Sequence, residues 1–125
     1  MKKIKFIIFL FLLIFTLSCK SSNKKKEDLQ LDQRFFGKWN FIEYVNRKGA
    51  KRDIRNKKKF LEFKTTGDFV SSDEKGTWEV IKNKLILRIR TKSNPKSAKI
   101  TQIDKKLLIL IDDTTKIKLI FEKNQ

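Results

Sequence analysis

The clearest structural pattern in the sequence is Gly76-Thr77-Trp78-Glu79-Val80-Ile81-Lys82-Asn83-Lys84-Leu85-Ile86-Leu87-Arg88-Ile89-Arg90. Trp78 and Val80 share one face of its first half. Leu85, Leu87 and Ile89 share one face of its second half, and a Lys-Asn pair that favours chain reversal lies between the halves. A period of two, with one apolar and one polar face, is typical of antiparallel strands that cover a core. The stretch therefore predicts a β-hairpin.

The same rhythm continues on both sides of this hairpin. Short apolar stretches recur at residues 39–46, 60–64, 68–72, 76–81, 85–91, 98–104, 107–112 and 116–122. Gly, Asn, Asp and Pro lie between them, and the repeat of about 8–12 residues is typical of an all-β meander. Residues 49–59 have room for one helical turn around Ile54. We therefore predict an all-β fold, a small eight-stranded up-and-down antiparallel barrel, because closure removes exposed strand edges.

Composition excludes several kinds of chemistry. The chain has 125 residues, with 31 Lys and Arg against 14 Asp and Glu, a formal net charge of +17, no His and one Cys. These counts exclude a histidine base, a His/Cys zinc site, a Ser-His-Asp triad and an intramolecular disulfide. No phosphate loop, nucleophile elbow or metal-ligand motif is present. We expect no enzymatic activity, no metal and no cofactor.

The N-terminus has the pattern of an export signal. A lysine-rich start precedes the apolar residues 6–15 and then Thr16-Leu17-Ser18-Cys19. A helix over residues 6–18 would be about 20 Å long, short of the ~30 Å hydrocarbon core. The last four residues resemble the lipobox of bacterial lipoproteins, which implies cleavage before Cys19 and lipidation of its thiol. The alternatives are an ordinary cleaved signal and a short N-terminal anchor.

Three regions follow from this pattern. Residues 1–18 are the expected lipoprotein signal peptide, residues 19–33 the lipidated Cys19 and a flexible tether, and residues 34–125 the barrel domain. The tether is polar and charged, so it cannot bury enough surface to offset its ordering entropy. Its lysines at 24–26 would contact anionic head groups or simply favour solubility. We expect the domain in the bacterial cell envelope, outside the cytoplasm, lipid-anchored to a membrane (the outer membrane in a Gram-negative cell).

Three motifs resemble the bacterial lipocalin-like domains. They are Gly37-Lys38-Trp39, then residues 60–63 with 66–69, then residues 76–80 with 83–87, in the order of that family. The resemblance covers residues 35–123 and implies a barrel with an interior ligand site. In longer lipocalins an Arg often crosses the Trp of the first strand; Lys123, or alternatively Arg34, is the candidate here. The shortness of the chain implies a reduced barrel with a smaller cavity.

The inward aromatic side chains are the candidate ligand contacts. Trp39, Phe41 and Trp78 are the expected apolar site, although each of them also fits plain core packing. An eight-stranded barrel encloses space for side chains or for one small ligand. Six inward aromatic residues would take much of this space: Trp39, Phe41, Phe63, Phe69, Trp78 and Phe121. We therefore expect a mostly filled interior with a shallow apolar mouth.

Glu43 is a fourth candidate for the ligand site. It alternates with Trp39 and Phe41, so strict pleating would point it inward. An inward carboxylate needs a cationic partner such as Arg88 or Arg90, and it would then orient a ligand. Alternatively Glu43 lies at the open end, or a bulge near Ile42 turns it outward.

The first long connection carries the densest positive charge. It contains one acidic residue, Asp53, and eight basic residues: Arg47, Lys48, Lys51, Arg52, Arg55, Lys57, Lys58 and Lys59. At a barrel mouth such a segment would attract anions and steer an acidic head group inward. The alternative is a solvated surface without a role. Nucleic acid is not an expected partner, because the protein is exported and few aromatics are free to stack on bases.

These features predict a membrane-anchored envelope protein whose barrel binds a small hydrophobic or amphipathic ligand. The alternative is a solid barrel that acts as an interaction module. Its basic exterior would then bind an anionic surface, a glycan or a protein partner. A cavity inside the barrel distinguishes the two, since the interaction module needs none.

Overall fold

A computed structural model describes residues 28–124, and the predictions about Cys19, the signal peptide and the tether lysines lie outside them. These residues contain no α-helix, and hence no helix that could cross a bilayer. Two short 3₁₀ turns are present, at Gln33–Phe35 and Arg55–Lys57. The nine strands are β1 (Gly37–Val45), β2 (Lys51–Asp53), β3 (Phe60–Phe63), β4 (Asp68–Ser71), β5 (Lys75–Ile81), β6 (Lys84–Ile89), β7 (Lys96–Ile103), β8 (Leu107–Asp112) and β9 (Lys118–Lys123).

Eight of the strands close into an antiparallel barrel. β1 and β3 to β9 pair in chain order, and β9 returns to pair with β1. Trp39 thus lies opposite Leu61 on one side and Lys123 on the other. The predicted all-β, eight-stranded up-and-down barrel is confirmed. The short β2 is additional, and it pairs with the last three residues of β1, beyond the end of β3.

The hairpin that suggested the fold is β5–β6. Trp78 pairs with Leu87 and Val80 with Leu85 across it. Lys82 and Asn83 have φ values of 48° and 64°, and a two-residue turn with both values positive matches the twist of the strands that it joins. The hairpin begins at Gly76, where a Cβ atom would lie 1.9 Å from the carbonyl oxygen of Arg88. Only glycine allows the strands to approach so closely.

The connections divide the barrel into two ends. We call the end with the β1–β3, β4–β5, β6–β7 and β8–β9 connections the open end. The closed end has the β3–β4, β5–β6 and β7–β8 connections and the N-terminal segment of residues 28–36. This segment lies beside the last part of β5, beyond the residues of β5 that pair with β4. There the Gln30 carbonyl oxygen accepts a hydrogen bond from the Val80 amide at 2.8 Å. Leu31 packs against the core, so the folded part begins before the predicted boundary at residue 34.

Candidate functional site

The closed end is filled by an aromatic cluster. Trp39, Trp78 and Phe35 are fully buried, and Phe63 lies with its ring centroid 5.0 Å from that of Trp78 and 5.2 Å from that of Phe35. Each indole N–H has a partner: Trp39 Nε1 donates to the Phe35 carbonyl at 2.8 Å and Trp78 Nε1 to the Lys64 carbonyl at 3.0 Å. Buried indoles with satisfied N–H groups are typical of a rigid core. No space for a ligand remains among these rings.

Lys123 seals this end against Trp39. Its ammonium lies 4.5 Å from the ring centroid of Trp39 and donates to the Phe36 carbonyl oxygen. A cation over an indole face is attracted by the ring electrons. Burial lowers the pKa of Lys123, because desolvation disfavours its charged form. Of the two candidates for the cation that crosses Trp39, the structure therefore has Lys123 and not Arg34. Gly37 leaves room for the Lys123 side chain, because a Cβ atom at Gly37 would lie 2.7 Å from the Lys123 Nζ.

The open half of the barrel is hollow. It contains a cavity of about 410 Å³. The expectation of a mostly filled interior is therefore wrong for this half, because both tryptophans lie at the other end and small side chains such as Ser71 and Ala98 line this one. Its apolar wall is formed by Phe41, Ile54, Phe60, Leu61, Phe69, Leu85, Leu87, Ala98, Leu110, Leu119 and Phe121.

The rim of this cavity carries both signs of charge. Its cations are Lys57, Lys59 and Lys96, and its anions are Asp73, Glu74 and Asp112. Asp73 accepts from Lys59 at 3.0 and 3.1 Å, and Glu74 pairs at 3.2 Å with Lys92 outside the rim. One carboxylate oxygen of Asp112 accepts from the amides of residues 114 and 115 at 2.8 and 3.1 Å.

Lys57 and Lys96 differ from the other charged groups of the rim. Neither has an acidic partner within residues 28–124, and both side chains are exposed. An uncompensated ammonium beside an apolar cavity favours a ligand that carries a negative charge next to an apolar body. The rim therefore has two positions for an acidic head group.

The predicted ligand contacts separate into two groups. Phe41 lines the cavity and stacks on Phe121 with 4.9 Å between ring centroids. Trp39 and Trp78 lie in the closed end and are not among the residues that line the cavity. Their fully buried side chains fit the core-packing alternative.

Glu43 is turned away from the cavity by a β-bulge. In the β1–β9 pairing the register shifts between Phe41 and Glu43, so Ile42 is the extra residue. The bulge near Ile42 was one of the predicted alternatives, and it is confirmed. It brings Tyr44, not Glu43, to the cavity wall. Arg88, a possible partner for an inward Glu43, instead donates to Glu79.

The basic segment is divided between the cavity and the outer surface. Lys57 and Lys59 reach the rim, while Arg55, Lys58 and Lys59 line a groove of about 450 Å³ on the outside of β1 and β3. Arg47 Nε donates to the Thr115 carbonyl at 3.0 Å. The remaining three, Lys48, Lys51 and Arg52, are exposed, the last two on the edge strand β2.

Lys96, Tyr44 and Ala98 were missed as cavity residues. Alternation along the strand could have identified Lys96, because Lys96 and Ala98 are two residues apart and so lie on the same face. The predicted strand, residues 98–104, began too late to include Lys96. β7 begins two residues earlier, at Lys96. Tyr44 could not have been placed inward without knowledge of the bulge.

A buried ion pair lies outside the barrel wall. Glu79 is fully buried on the outward face of β5, where Arg88 donates to one carboxylate oxygen and the Gln30 amide lies 3.5 Å from the other. A buried carboxylate requires such partners. This pair attaches the N-terminal segment to the β5–β6 hairpin, away from the cavity. Residues 28–124 contain no cluster of acidic or Cys side chains placed to hold a metal ion.

Two solved structures resemble this barrel. A lipocalin-like protein from Bacteroides uniformis superposes with a TM-score of 0.62 at 16% identity, covering 73% of this chain and 99% of its own. An uncharacterized protein from Bacteroides eggerthii gives a TM-score of 0.61 at 14% identity, covering 72% of this chain and 99% of its own. No family model and no curated protein sequence matches the chain. The neighbours show a lipocalin-like fold, and at these identities they show the fold alone.

Proposed function

We propose that this protein is a binding protein, not an enzyme, that holds a small amphipathic ligand in the open half of its barrel. The observation that carries the proposal is the apolar cavity of about 410 Å³ with uncompensated lysines at its rim. Ligand pockets typically have volumes of about 300–1,000 Å³, mostly apolar walls and a few polar groups that orient the ligand. The cavity has each of these properties.

The volume indicates how large a ligand group the cavity can enclose. At roughly 30 Å³ for each water-sized group, 410 Å³ has room for about 13 non-hydrogen atoms. A ten-carbon acid such as decanoate has that size. Its chain would lie between Phe41, Leu87 and Leu110, and its carboxylate would lie at the rim near Lys57 and Lys96.

A membrane anchor completes the proposal. Cys19 follows directly after the apolar leader in a lipobox-like sequence, and it is the one Cys of the chain. Acylation there would attach the barrel to an envelope membrane, since two acyl chains give stable anchoring. The ligand would then be one that partitions between water and lipid.

The binding test uses decanoate, native mass spectrometry and two tryptophan substitutions on neighbouring residues of β7. Ala98→Trp fills the cavity and should abolish the decanoate complex. Lys99→Trp adds the same side chain at an exposed position and should leave the complex intact. Equal binding by the two variants would contradict an interior site, and no decanoate complex with the wild-type protein would contradict the proposed ligand class.

The anchor test is separate from the binding test. Metabolic labelling with palmitate should label the wild-type chain, and Cys19→Ser should remove the label and release the barrel from the membrane fraction. A labelled Cys19→Ser variant, or an unlabelled wild-type chain, would contradict the proposed anchor without affecting the ligand site.

A further inference from the structure

Positive charge is concentrated at the open end of the barrel. Its connections (residues 46–59, 72–74, 90–95 and 113–117) contain 11 Lys and Arg against 4 Asp and Glu, a net charge of +7. The closed-end connections (residues 64–67, 82–83 and 104–106) and residues 28–36 contain 5 against 3, a net charge of +2. The net charge is therefore one for every four residues at the open end and one for every nine at the closed end.

The acidic groups at the open end are already engaged. Asp53 pairs with Arg55 at 3.2 Å, Asp73 with Lys59 at 3.0 Å, and Glu74 with Lys92 at 3.2 Å. Asp113 pairs with Lys84 at 3.0 Å. Eight exposed cations of this end form no salt bridge within the described part of the chain: Arg47, Lys48, Lys51, Arg52, Lys57, Lys58, Arg90 and Lys116.

These cations are spread over the open end instead of converging on one pocket. Six of them lie in the β1–β3 connection, and one each in the β6–β7 and β8–β9 connections. Most are lysines, whose ammonium groups act as point charges without the bidentate geometry of Arg. A broad patch of such charges matches a surface whose anionic groups are mobile and closely spaced. A bilayer of anionic phospholipids is that kind of surface.

We propose that the open end docks on an anionic phospholipid bilayer, with the cavity mouth facing the lipid. Each Lys or Arg near such a surface strengthens binding about fivefold. Weak contacts from several of the eight cations would combine into salt-sensitive binding. Docking requires no ligand in the cavity, and its test is independent of the decanoate test.

The test uses residues 28–124, because the closed barrel and its hydrophobic core lie within them and the proposed anchor is then absent. Circular dichroism first verifies the β fold of this chain. We expect it to sediment with vesicles of phosphatidylglycerol and phosphatidylcholine at low salt. We expect no sedimentation with vesicles of phosphatidylcholine alone, and release from the anionic vesicles at 0.5 M salt.

Two triple variants with the same change in net charge locate the docking surface. The open-end variant, Lys48→Gln with Lys51→Gln and Arg52→Gln, should lose about a hundredfold in vesicle affinity. The closed-end control, Lys64→Gln with Lys105→Gln and Lys106→Gln, should change it less than about threefold. None of the six residues lines the cavity, so both variants should still bind decanoate.

Three outcomes would overturn the proposal. Equal losses in the two triple variants would mean that net charge alone drives binding. Sedimentation with neutral vesicles as strong as with anionic ones would exclude electrostatic docking. Binding to heparin without binding to vesicles would assign the surface to an acidic glycan instead.

Discussion

The two ends of the barrel are made by the same strands and have opposite interiors. β1 contributes Trp39 to a fully buried aromatic cluster and, two residues later, Phe41 to the wall of a cavity of about 410 Å³. At the closed end the N-terminal segment adds Phe35 as a further plug, whereas no segment of residues 28–124 fills the open end. One end is therefore densely packed, and the other contains the cavity.

Dense packing and open space therefore have separate locations in the chain. Aromatic residues at one end supply the packed contacts, so the other end can keep small and polar inward side chains without loss of the fold. The charges follow the same division, since the open-end connections carry a net +7 and the closed end +2. Substitutions at matched positions of the two ends should therefore have different consequences.

The largest expected difference is between two phenylalanines. Phe63→Ala at the closed end should lower the free energy of unfolding by about 3–5 kcal/mol, because it empties a packed aromatic site. Phe41→Ala at the open end should cost about half as much, because its ring already borders a cavity. Denaturant unfolding followed by Trp fluorescence measures both values. Equal costs would mean that the open end is as tightly packed as the closed end.

A second comparison uses two glycines. Gly37 has φ +115° and a Cβ there would meet Lys123, whereas Gly49 has φ +87° and open space around it. Gly49→Ala should cost about 1 kcal/mol from backbone strain alone. Gly37→Ala should cost about 2–3 kcal/mol, because it also displaces the Lys123 ammonium from Trp39. In a Lys123→Ala background the two glycine substitutions should lower the free energy of unfolding by the same amount. A larger cost of Gly37→Ala in that background would contradict the role of the Lys123 ammonium.

The sequence predicted the wall of the barrel well and the interior poorly. Alternation along residues 76–90 identified which side chains face inward, and the structure confirms Trp78, Leu85 and Ile89 as buried. Alternation does not reveal how far along the barrel axis an inward side chain lies. That depth depends on register, such as Trp39 opposite Leu61 and Lys123, which arises only when distant strands pair. Trp39 and Phe41 therefore looked equivalent and are not.

The candidate site was predicted only in part for a related reason. The basic segment was expected near the mouth, and Lys57 does reach the rim. Pairing of β2 with β1 keeps Lys51 and Arg52 on the outer edge, and no local pattern indicated that three-residue strand. Lys96 comes from the opposite side of the barrel, so its proximity to the cavity follows from closure and not from sequence spacing.

A smaller effect is expected from the two unpaired lysines of the rim. Lys57→Gln together with Lys96→Gln should weaken decanoate binding about five- to tenfold, because an exposed charge pair contributes about 0.2–1 kcal/mol. Binding of decanol, which has the same chain and no charge, should change less than twofold. Isothermal titration of both ligands separates head-group from chain contacts. Equal losses for the two ligands would mean that the variant damages the cavity itself.

The smallest expected effect is the pH dependence carried by Asp113 at the open end. Hydrogen bonds from the Ser97 hydroxyl at 2.6 Å and the Lys84 ammonium at 3.0 Å lower the pKa of this carboxyl below its ordinary value of 3.8. Its stabilising contribution is therefore complete above about pH 4 and is lost as the pH falls through the lowered pKa. Asp113→Asn should therefore make the free energy of unfolding, measured by denaturant titration, fall less steeply between pH 4 and pH 2.

A closed-end carboxyl serves as the control for Asp113. Hydrogen bonds from the amides of Leu107 and Lys106 lower the pKa of Asp104, so Asp104→Asn should flatten the same part of the pH profile. The two variants should differ in ligand binding, because Ser97 lines the cavity and its hydroxyl donates to Asp113. Asp113→Asn should therefore reduce the acid sensitivity of binding of decanol, whose head group does not titrate, while Asp104→Asn leaves it unchanged. The same change in ligand binding in both variants would mean that the two ends of the barrel are coupled.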